Sequence, residues 1–137
     1  MAGELAAISI LKNDSIIQGF CGTNPTRVFP FQRPQGKPLP AITVRSTGTE
    51  PNGTMDGPSG LDFERLQIVI WDDEFNTDTY ALEQRVRELL DRPAVGGSVN
   101  GVNLESCSFE DRDTFKEQLV DKEVNAIEHM YKAIIKR

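Results

Sequence analysis

The stretch LDFERLQIVIW, residues 61–71, decides the fold, because its side chains alternate and its centre is apolar throughout. In an extended chain, successive side chains point to opposite faces. One face would hold the aliphatic residues Leu66, Ile68 and Ile70. The other face would hold Gln67, Val69 and Trp71. We predict an inner strand covered on both sides. The helix that follows could cover Val69 and Trp71, so that Trp71 either closes the rim of the core or anchors a partner.

The segment that follows has the clearest helical pattern of the chain. Residues 77–90 (TDTYALEQRVRELL) carry one apolar stripe at helical spacing, formed by Leu82, Val86, Leu89 and Leu90. Asn76 or Thr77 can cap the start of this helix, and Pro93 stops it. The sequence therefore predicts one long helix over residues 77–90.

The remaining elements complete an α+β pattern. Upstream we predict a helix over residues 3–12, a further turn from Ile16, an extended segment over 27–31, a proline-rich connector over 32–40 and a strand over 41–47. Downstream we predict a loop over residues 94–101 and a strand from Val102 toward Phe109. Residues 127–135 fit a helix and a strand equally well. The predicted fold is a small, mixed, mainly antiparallel sheet with one long helix packed on it and a short N-terminal helix.

A Gly/Pro-rich segment separates the strands over residues 41–47 and 61–71. Its 13 residues, 48–60 (GTEPNGTMDGPSG), far exceed what a hairpin turn needs, and loops of this length are usually functional. We predict a loop that extends from the hairpin as an arm and contacts a partner. The predicted partner-binding residues are Thr49, Glu50, Pro51, Asn52, Thr54, Met55 and Asp56, with Arg27 and Phe29 on the extended segment.

Length and charge limit the functions open to the chain. Its 137 residues suit one domain spanning residues 1–137, and they can bury a core without disulfides or metals. The formal charge of −6 argues against general affinity for nucleic acid or for an anionic membrane. Lys132, Lys136 and Arg137 form the one cluster of positive charge near the C-terminus.

The cysteines and the histidine give no metal-site pattern. Cys21 and Cys107 lie far apart without a CxxC spacing, and His129 is the only histidine. We predict two buried free thiols and a packing or surface histidine. The N-terminal residues lack the pattern of a signal peptide, so we expect a reducing cytoplasm.

One acidic cluster offers an enzymatic alternative. Asp72, Asp73 and Glu74 follow the predicted inner strand, and carboxylates at a strand end can bind Mg²⁺ for nuclease chemistry. Acidic residues are also common between a strand and a helix, where they favour the turn and the helix dipole. The turn is the better interpretation, and the metal nuclease remains a minor hypothesis.

An ordered set of motifs resembles the phage tail-completion proteins. The set comprises Arg27-Val28-Phe29-Pro30, the run from Pro34-Gln35-Gly36 to Leu39-Pro40 before a strand, and Gly57-Pro58-Ser59-Gly60-Leu61 leading into the strand that ends at Trp71. Order and spacing match over about residues 5–90. Tyr131-Lys132 is similar to the aromatic-basic pair that opens the last strand of that family, which favours a strand over residues 127–135.

The resemblance implies a structural virion protein with no enzyme activity and no cofactor. It implies a homo-oligomeric ring, a hexamer, at the head-proximal end of a phage tail tube, where the ring ends tail polymerisation and joins the tail to the head connector. The implied partners are the tail-tube protein and the head-connector or stopper protein, in a virion assembled in the host cytoplasm. DNA would pass through the lumen without specific binding, and no membrane is involved. The alternative within the same particle is a head-side neck adaptor or stopper.

Overall fold

The architecture was obtained as a computed structural model. It describes residues 2–23, 26–30, 39–54, 57–91, 98–99, 102–118 and 123–136, and for residues 49–54 and 57–62 it describes the backbone alone. The predicted connector over residues 32–40 lies outside this part of the chain except for its last two residues. Most of the predicted loop over residues 94–101 also lies outside it.

In the part of the chain that the structure describes, three helices form where the sequence supplies caps and apolar stripes. They are α1 (Ala2–Lys12), α2 (Ser15–Cys21) and α3 (Thr77–Leu90). The carboxylate of Asp14 caps α2 by accepting from the Ile17 amide at 3.0 Å. Asn76 and Thr79 form a reciprocal capping box at the start of α3. α1 and α3 were predicted, α3 with the same bounds, whereas only a turn from Ile16 was predicted where α2 forms. Within the described residues no helix is long and apolar enough to cross a membrane.

Among the described residues, six strands form one sheet. In chain order they are β1 (Val28–Pro30), β2 (Ala41–Thr54), β3 (Gly57–Asp72), β4 (Ser98–Val99), β5 (Val102–Gln118) and β6 (Glu123–Lys136). Their order across the sheet is β1-β2-β3-β6-β5-β4, with β1 parallel to β2 and every other pair antiparallel. The fold is therefore α+β, as predicted, and the sheet is mixed and mainly antiparallel.

The prediction of a 13-residue loop over residues 48–60 was wrong. The ladder between β2 and β3 continues from the Gly48–Arg65 pair to the Thr54–Gly57 pair, with irregularities after Ser46 and after Asn52. The glycines and prolines suggested a loop, but bulges absorb the irregular backbone. Because β1 pairs only with residues 42–44, β2 is an edge strand beyond them within the described part of the sheet, where a proline is tolerated.

The C-terminal segment is a strand, as the resemblance implied. The residues that fitted both periodicities, Ile127 and Tyr131, lie on the buried face of β6. β5 is also longer than predicted, because it pairs with β6 as far as Gln118. The β5–β6 hairpin turns at the opposite end of the sheet from the β2–β3 hairpin, since β3 and β6 are antiparallel.

The helices pack on one face of the sheet, which we call the helix face. Its core joins Leu82 and Val86 of α3 to Ile68 and Ile70 of β3, and all four side chains are fully buried. A bidentate ion pair from Arg85 to Asp14, at 2.6 and 3.0 Å, ties α3 to the start of α2. Burying apolar side chains in this way is the main source of folding free energy.

The prediction that α3 covers Val69 and Trp71 was wrong. Their side chains point away from the helices, and no described helix packs on that side, which we call the open face. The helix stripe pairs instead with Ile68 and Ile70, because one helix can bury only one face of a strand. β3 is apolar on both sides although helices cover only one of them.

Candidate partner-binding surfaces

The open face mixes apolar and charged side chains that are half-buried. Across β3 and β6 these are Phe63, Gln67, Trp71, Glu128, Met130, Lys132 and Ile134. Between them, Val69 and Ala126 are buried to 5% and 0% exposure. A face of this composition is typical of a surface that contacts another protein.

At one end of the open face, Trp71 and Phe115 form an aromatic pair. Their rings meet edge to face with centroids 5.6 Å apart, and Phe115 remains 37% exposed. The Trp71 indole N–H donates to the hydroxyl of Thr43 at 3.0 Å, which fixes the orientation of the ring. Trp71 thus covers a small cluster on the open face and is itself half-buried.

The charges of the open face are separated along the strands. Arg65 lies opposite Lys132 in the half nearer the β2–β3 turn, and the Lys132 ammonium sits 4.2 Å from the centre of the Phe63 ring. Glu128 lies opposite Asp113 in the other half, where it accepts from the Gln67 amide at 2.9 Å. Among the described side chains, the cations Arg65 and Lys132 therefore lie nearer the β2–β3 turn, and the carboxylates of Glu128 and Asp113 lie nearer the β5–β6 turn.

The predicted partner-binding residues divide into three groups. Thr49, Glu50, Pro51, Asn52 and Thr54 lie on β2, in the part of its ladder that was predicted to be a loop. Met55 and Asp56 lie outside the described residues. Phe29 is half-buried on β1, opposite Thr43.

Arg27 has an internal role that its sequence context did not reveal. Its guanidinium donates to the carbonyl oxygens of Pro40 at 3.0 Å and of Phe20 at 3.1 Å. These bonds tie the end of α2 to the residue that precedes β2. Partner binding by Arg27 and by the other predicted residues stays a prediction.

A buried polar network joins α3 to the sheet. The imidazole of His129 is 1% exposed, and its Nε2 lies 2.7 Å from a carboxylate oxygen of Glu83. Its Nδ1 lies 2.9 Å from the hydroxyl of Tyr131. Because a carboxylate only accepts, Nε2 of the neutral ring donates to Glu83, and Nδ1 then accepts from Tyr131. Arg112 of β5 donates to the same carboxylate.

The pKa shifts in this network follow from burial and pairing. Burial lowers the pKa of His129 below its usual value, and the Glu83 carboxylate opposes that shift only in part. Burial alone would raise the pKa of Glu83, but hydrogen bonds from Arg112 and His129 outweigh it and the pKa is lowered. Both nitrogens of the imidazole are occupied, so the ring holds α3 on the sheet rather than offering a free base.

A cavity of about 330 Å³ opens beside this network, between α3 and β5. Its lining consists of Tyr80, Glu83, Gln84, Arg87, Phe109, Arg112 and His129. Arg87 stacks over the Phe109 ring at 4.0 Å, and Arg112 pairs with Glu83, so both guanidinium groups already have partners. The polar groups of the cavity thus serve the packing of α3 against the sheet.

The acidic cluster after β3 has a structural use. One carboxylate oxygen of Asp72 accepts from the Thr79 hydroxyl at 2.7 Å, and the other accepts from the amide of Asp73 at 2.8 Å. These bonds shape the turn into α3. Among the residues that the structure describes, no three His, Cys, Asp or Glu side chains group as metal ligands would.

Both cysteines are free and buried, as predicted. Burial raises the pKa of the Cys21 thiol and of the Cys107 thiol to about 12. Neither thiol is therefore a nucleophile near neutral pH.

Comparison with known proteins identifies a matching family and similar solved structures. The sequence pattern of the family described as "Tail completion protein gp17" matches residues 6–135. A chain from the solved virion of a native gene transfer agent (GTA) particle is similar in structure, with a TM-score of 0.69 and 14% identity, over 98% of this chain and 94% of that chain. A comparison with curated proteins found no match. At 14% identity the structural likeness shows the fold alone.

Proposed function

We infer the function from family membership, because the chain belongs to the tail completion protein gp17 family over residues 6–135. It is therefore a structural protein of a phage tail. We propose that copies of the chain form a ring, a hexamer, at the head-proximal end of the tail tube. The ring ends tail polymerisation and joins the tail to the head connector.

The observation that carries this proposal is the family match, which extends over nearly the whole chain. The geometry supports it, because the open face and the long β2–β3 hairpin offer recognition surfaces on the scaffold that the helices stabilise. Charged and apolar groups side by side, as at Lys132 and Phe63, are common where proteins meet.

The proposed partners are a second copy of this chain, the tail-tube protein and the head-connector or stopper protein. In a cyclic ring, each subunit contacts the next through two different surfaces. Such contacts close into a ring when the rotation from one subunit to the next divides a full turn into a whole number of steps. The net charge of −6 suits a lumen through which DNA passes without specific binding. The proposed location is the virion, after assembly in the host cytoplasm.

Deleting the gene tests the proposal in the particle. We expect tails that are over-long or unstable, because nothing would then end the tube. Full-length protein supplied in trans should restore normal tail length and infectivity. Leaking heads with normal tails would instead favour the alternative function of a neck adaptor or stopper.

Imaging of the purified protein tests the ring itself. Mixed with tail tubes and examined by negative-stain electron microscopy, the protein should appear as a ring at one end of each tube. Light scattering should detect the same assembly above the mass of one chain. A protein that stays monomeric at every concentration and leaves both tube ends bare would overturn the proposal.

A further inference from the structure

We propose that carboxylates of this chain close the outer edge of β5 to strand addition, so that a second chain cannot extend the sheet there. The closed segment, which we call the β5 edge, consists of residues 109–114. This inference goes beyond the proposed function, because it concerns how an unpaired strand is kept from associating, whether or not a ring forms.

The outer side of β5 lacks a neighbouring strand over most of its length. On its inner side β5 pairs with β6 from Asn103 to Gln118, whereas on its outer side β4 pairs only with Val102 and Asn103. Within the described part of the chain, the rest of the outer side is therefore a sheet edge, and residues 110–118 are exposed. Such an edge presents amide and carbonyl groups that can pair with another chain.

The direction of the amides along the β5 edge follows from the ladder. Successive amides of a strand point to opposite sides, so those of Arg112 and Thr114 share one side. An extra residue between Phe109 and Asp111 shifts the register and brings the Phe109 amide to that same side. This side faces away from β6, because the Phe109 amide donates at 3.0 Å to the carboxylate of Asp91, at the end of α3.

Two further aspartates occupy the other outward amides. The carboxylate of Asp111 accepts from the amide of Arg112 at 2.8 Å, and that of Asp113 accepts from the amide of Thr114 at 2.8 Å. Each of these aspartates directly precedes the amide that it holds, so the strand supplies its own blocking groups. An incoming strand would have to displace the carboxylates before its carbonyl oxygens could accept from the same donors.

The opposite edge of the sheet shows the same kind of contact. The amide of Ile42 on β2 donates outward to the carbonyl oxygen of Arg27, beside β1. Two alternations further along, the amide of Ser46 points to the same side, beyond the pairing with β1, which ends at Val44. The carboxylate of Glu4 accepts from this amide at 2.9 Å. Carboxylates thus occupy outward amides at both edges, which indicates that the contact serves the edge and not one local turn.

Freeing the amides tests the inference. The variant Asp111→Ala/Asp113→Ala removes the acceptors of Arg112 and Thr114, while Asp91 is kept because it also caps α3. We expect self-association at least about tenfold stronger than that of the wild type, because two backbone donors become available to a second chain. Light scattering over a concentration series measures the association. The urea midpoint should stay close to that of the wild type, because both substituted side chains are exposed.

Two controls separate the hydrogen bonds from the charge. The variant Asp111→Asn/Asp113→Asn removes the same two charges but keeps an acceptor oxygen at each position, so it should associate no more than the wild type. Adding Thr114→Pro to the alanine variant removes a freed amide that points away from β6, and proline is tolerated at a sheet edge. This addition should reverse most of the association.

Hydrogen exchange checks the freed amides independently of association. In a dilute sample of the alanine variant, the amides of Arg112 and Thr114 should exchange faster than in the wild type, because they lose their acceptors. Exchange at the wild-type rate would show that the aspartates do not hold these amides, which overturns the inference.

The remaining outcomes are equally distinct. An alanine variant that associates no more than the wild type would overturn the inference. So would an asparagine variant that associates as strongly as the alanine variant, because charge alone would then keep the chains apart. A Thr114→Pro substitution that reverses nothing would place the association on another surface, with the same consequence. Every comparison takes the wild type under the same conditions as its reference, so a wild-type protein that forms no ring would overturn the proposed function and leave this inference standing.

Discussion

The two faces of the sheet differ in how far their side chains are buried. On the helix face, Ile68 and Leu82 are fully excluded from water, and the one histidine there has a partner for each ring nitrogen. On the open face, Met130 and Lys132 are only half-buried. The comparison teaches that one face maintains the fold, whereas the other leaves apolar area and charge accessible, where we propose that a partner binds. Substitutions on the two faces should therefore separate stability from assembly.

The largest expected effect comes from truncating the core. Ile68→Ala on the helix face should lower the free energy of unfolding by about 2–5 kcal/mol, because it leaves a cavity among packed side chains. Met130→Ala on the open face should cost less than about 1.5 kcal/mol, because that side chain is partly solvated. Urea unfolding of the monomer measures both. Equal losses would mean that the open face is covered within a single chain.

Alanine substitutions at two glycines, Gly3 and Gly19, should give the next largest difference in stability. A Cβ added to Gly3 would lie 2.0 Å from a carboxylate oxygen of Glu64 and 3.5 Å from Cδ1 of Ile135. Gly3→Ala should therefore destabilise the chain by about 1–3 kcal/mol, since α1 must shift away from the sheet.

The matched control lies in α2, at the exposed Gly19. An added Cβ there meets no atom within 4 Å, so Gly19→Ala should stabilise the chain by about 0.5–1 kcal/mol through helix propensity. Thermal unfolding of the two variants checks the signs. A loss of stability in both variants would show that backbone strain, and not contact with Glu64, sets the cost at Gly3.

The buried network should make stability depend on pH. The pKa of His129 is lowered in the folded state, so the unfolded chain binds a proton first as the pH falls below about 6.5. Stability should be fully present above that pH and decrease below it, by at most about 1.4 kcal/mol per pH unit. Asp14, whose pKa is lowered by its bond to Arg85, adds a further loss below about pH 4. Urea midpoints at several pH values measure both.

The variant His129→Gln serves as the control for the first of these losses. It removes the titrating group while an amide can still bond to Glu83. Its stability should change little between pH 7 and pH 5. A slope equal to that of the wild type would show that another group is responsible.

The smallest expected effect lies on the open face. Glu128→Ala removes the cross-strand bond to Gln67 but should cost less than about 1 kcal/mol, because the pair is partly solvated. Chemical denaturation of the variant checks this. A larger loss would mean that the open face contributes to the fold as the helix face does.

Much of the fold follows from local patterns in the sequence. The stripe and caps of α3 place its ends at Thr77 and Leu90, and the alternation of β3 identifies its two faces correctly. β6 could not be assigned from periodicity, because its apolar residues satisfy a helix and a strand alike. The ladder through residues 48–60 was missed because glycine and proline disfavour strands locally, whereas the pairing depends on the opposite strand.

The surfaces were harder to predict than the elements. The apolar residues Val69 and Trp71 suggested a covering helix, since a sequence does not distinguish a face that a helix covers from one that stays open. The bond between Glu83 and His129 joins residues 46 positions apart, and no local pattern marks it. The segment over residues 48–60 stood out by its composition, but the loop predicted there is a strand ladder, and its binding to a partner stays a prediction.

Because both of its thiols are buried, the unmodified chain should react slowly with thiol-labelling reagents. With a pKa of about 12, on the order of one thiol in 10⁴ to 10⁵ is ionised at pH 7.5, so maleimides react slowly with Cys21 and Cys107. A cysteine introduced at the exposed Thr47 should then be the fast-reacting site, with no need to remove the native pair. A fluorophore placed there would report whether this part of β2 leaves water on assembly.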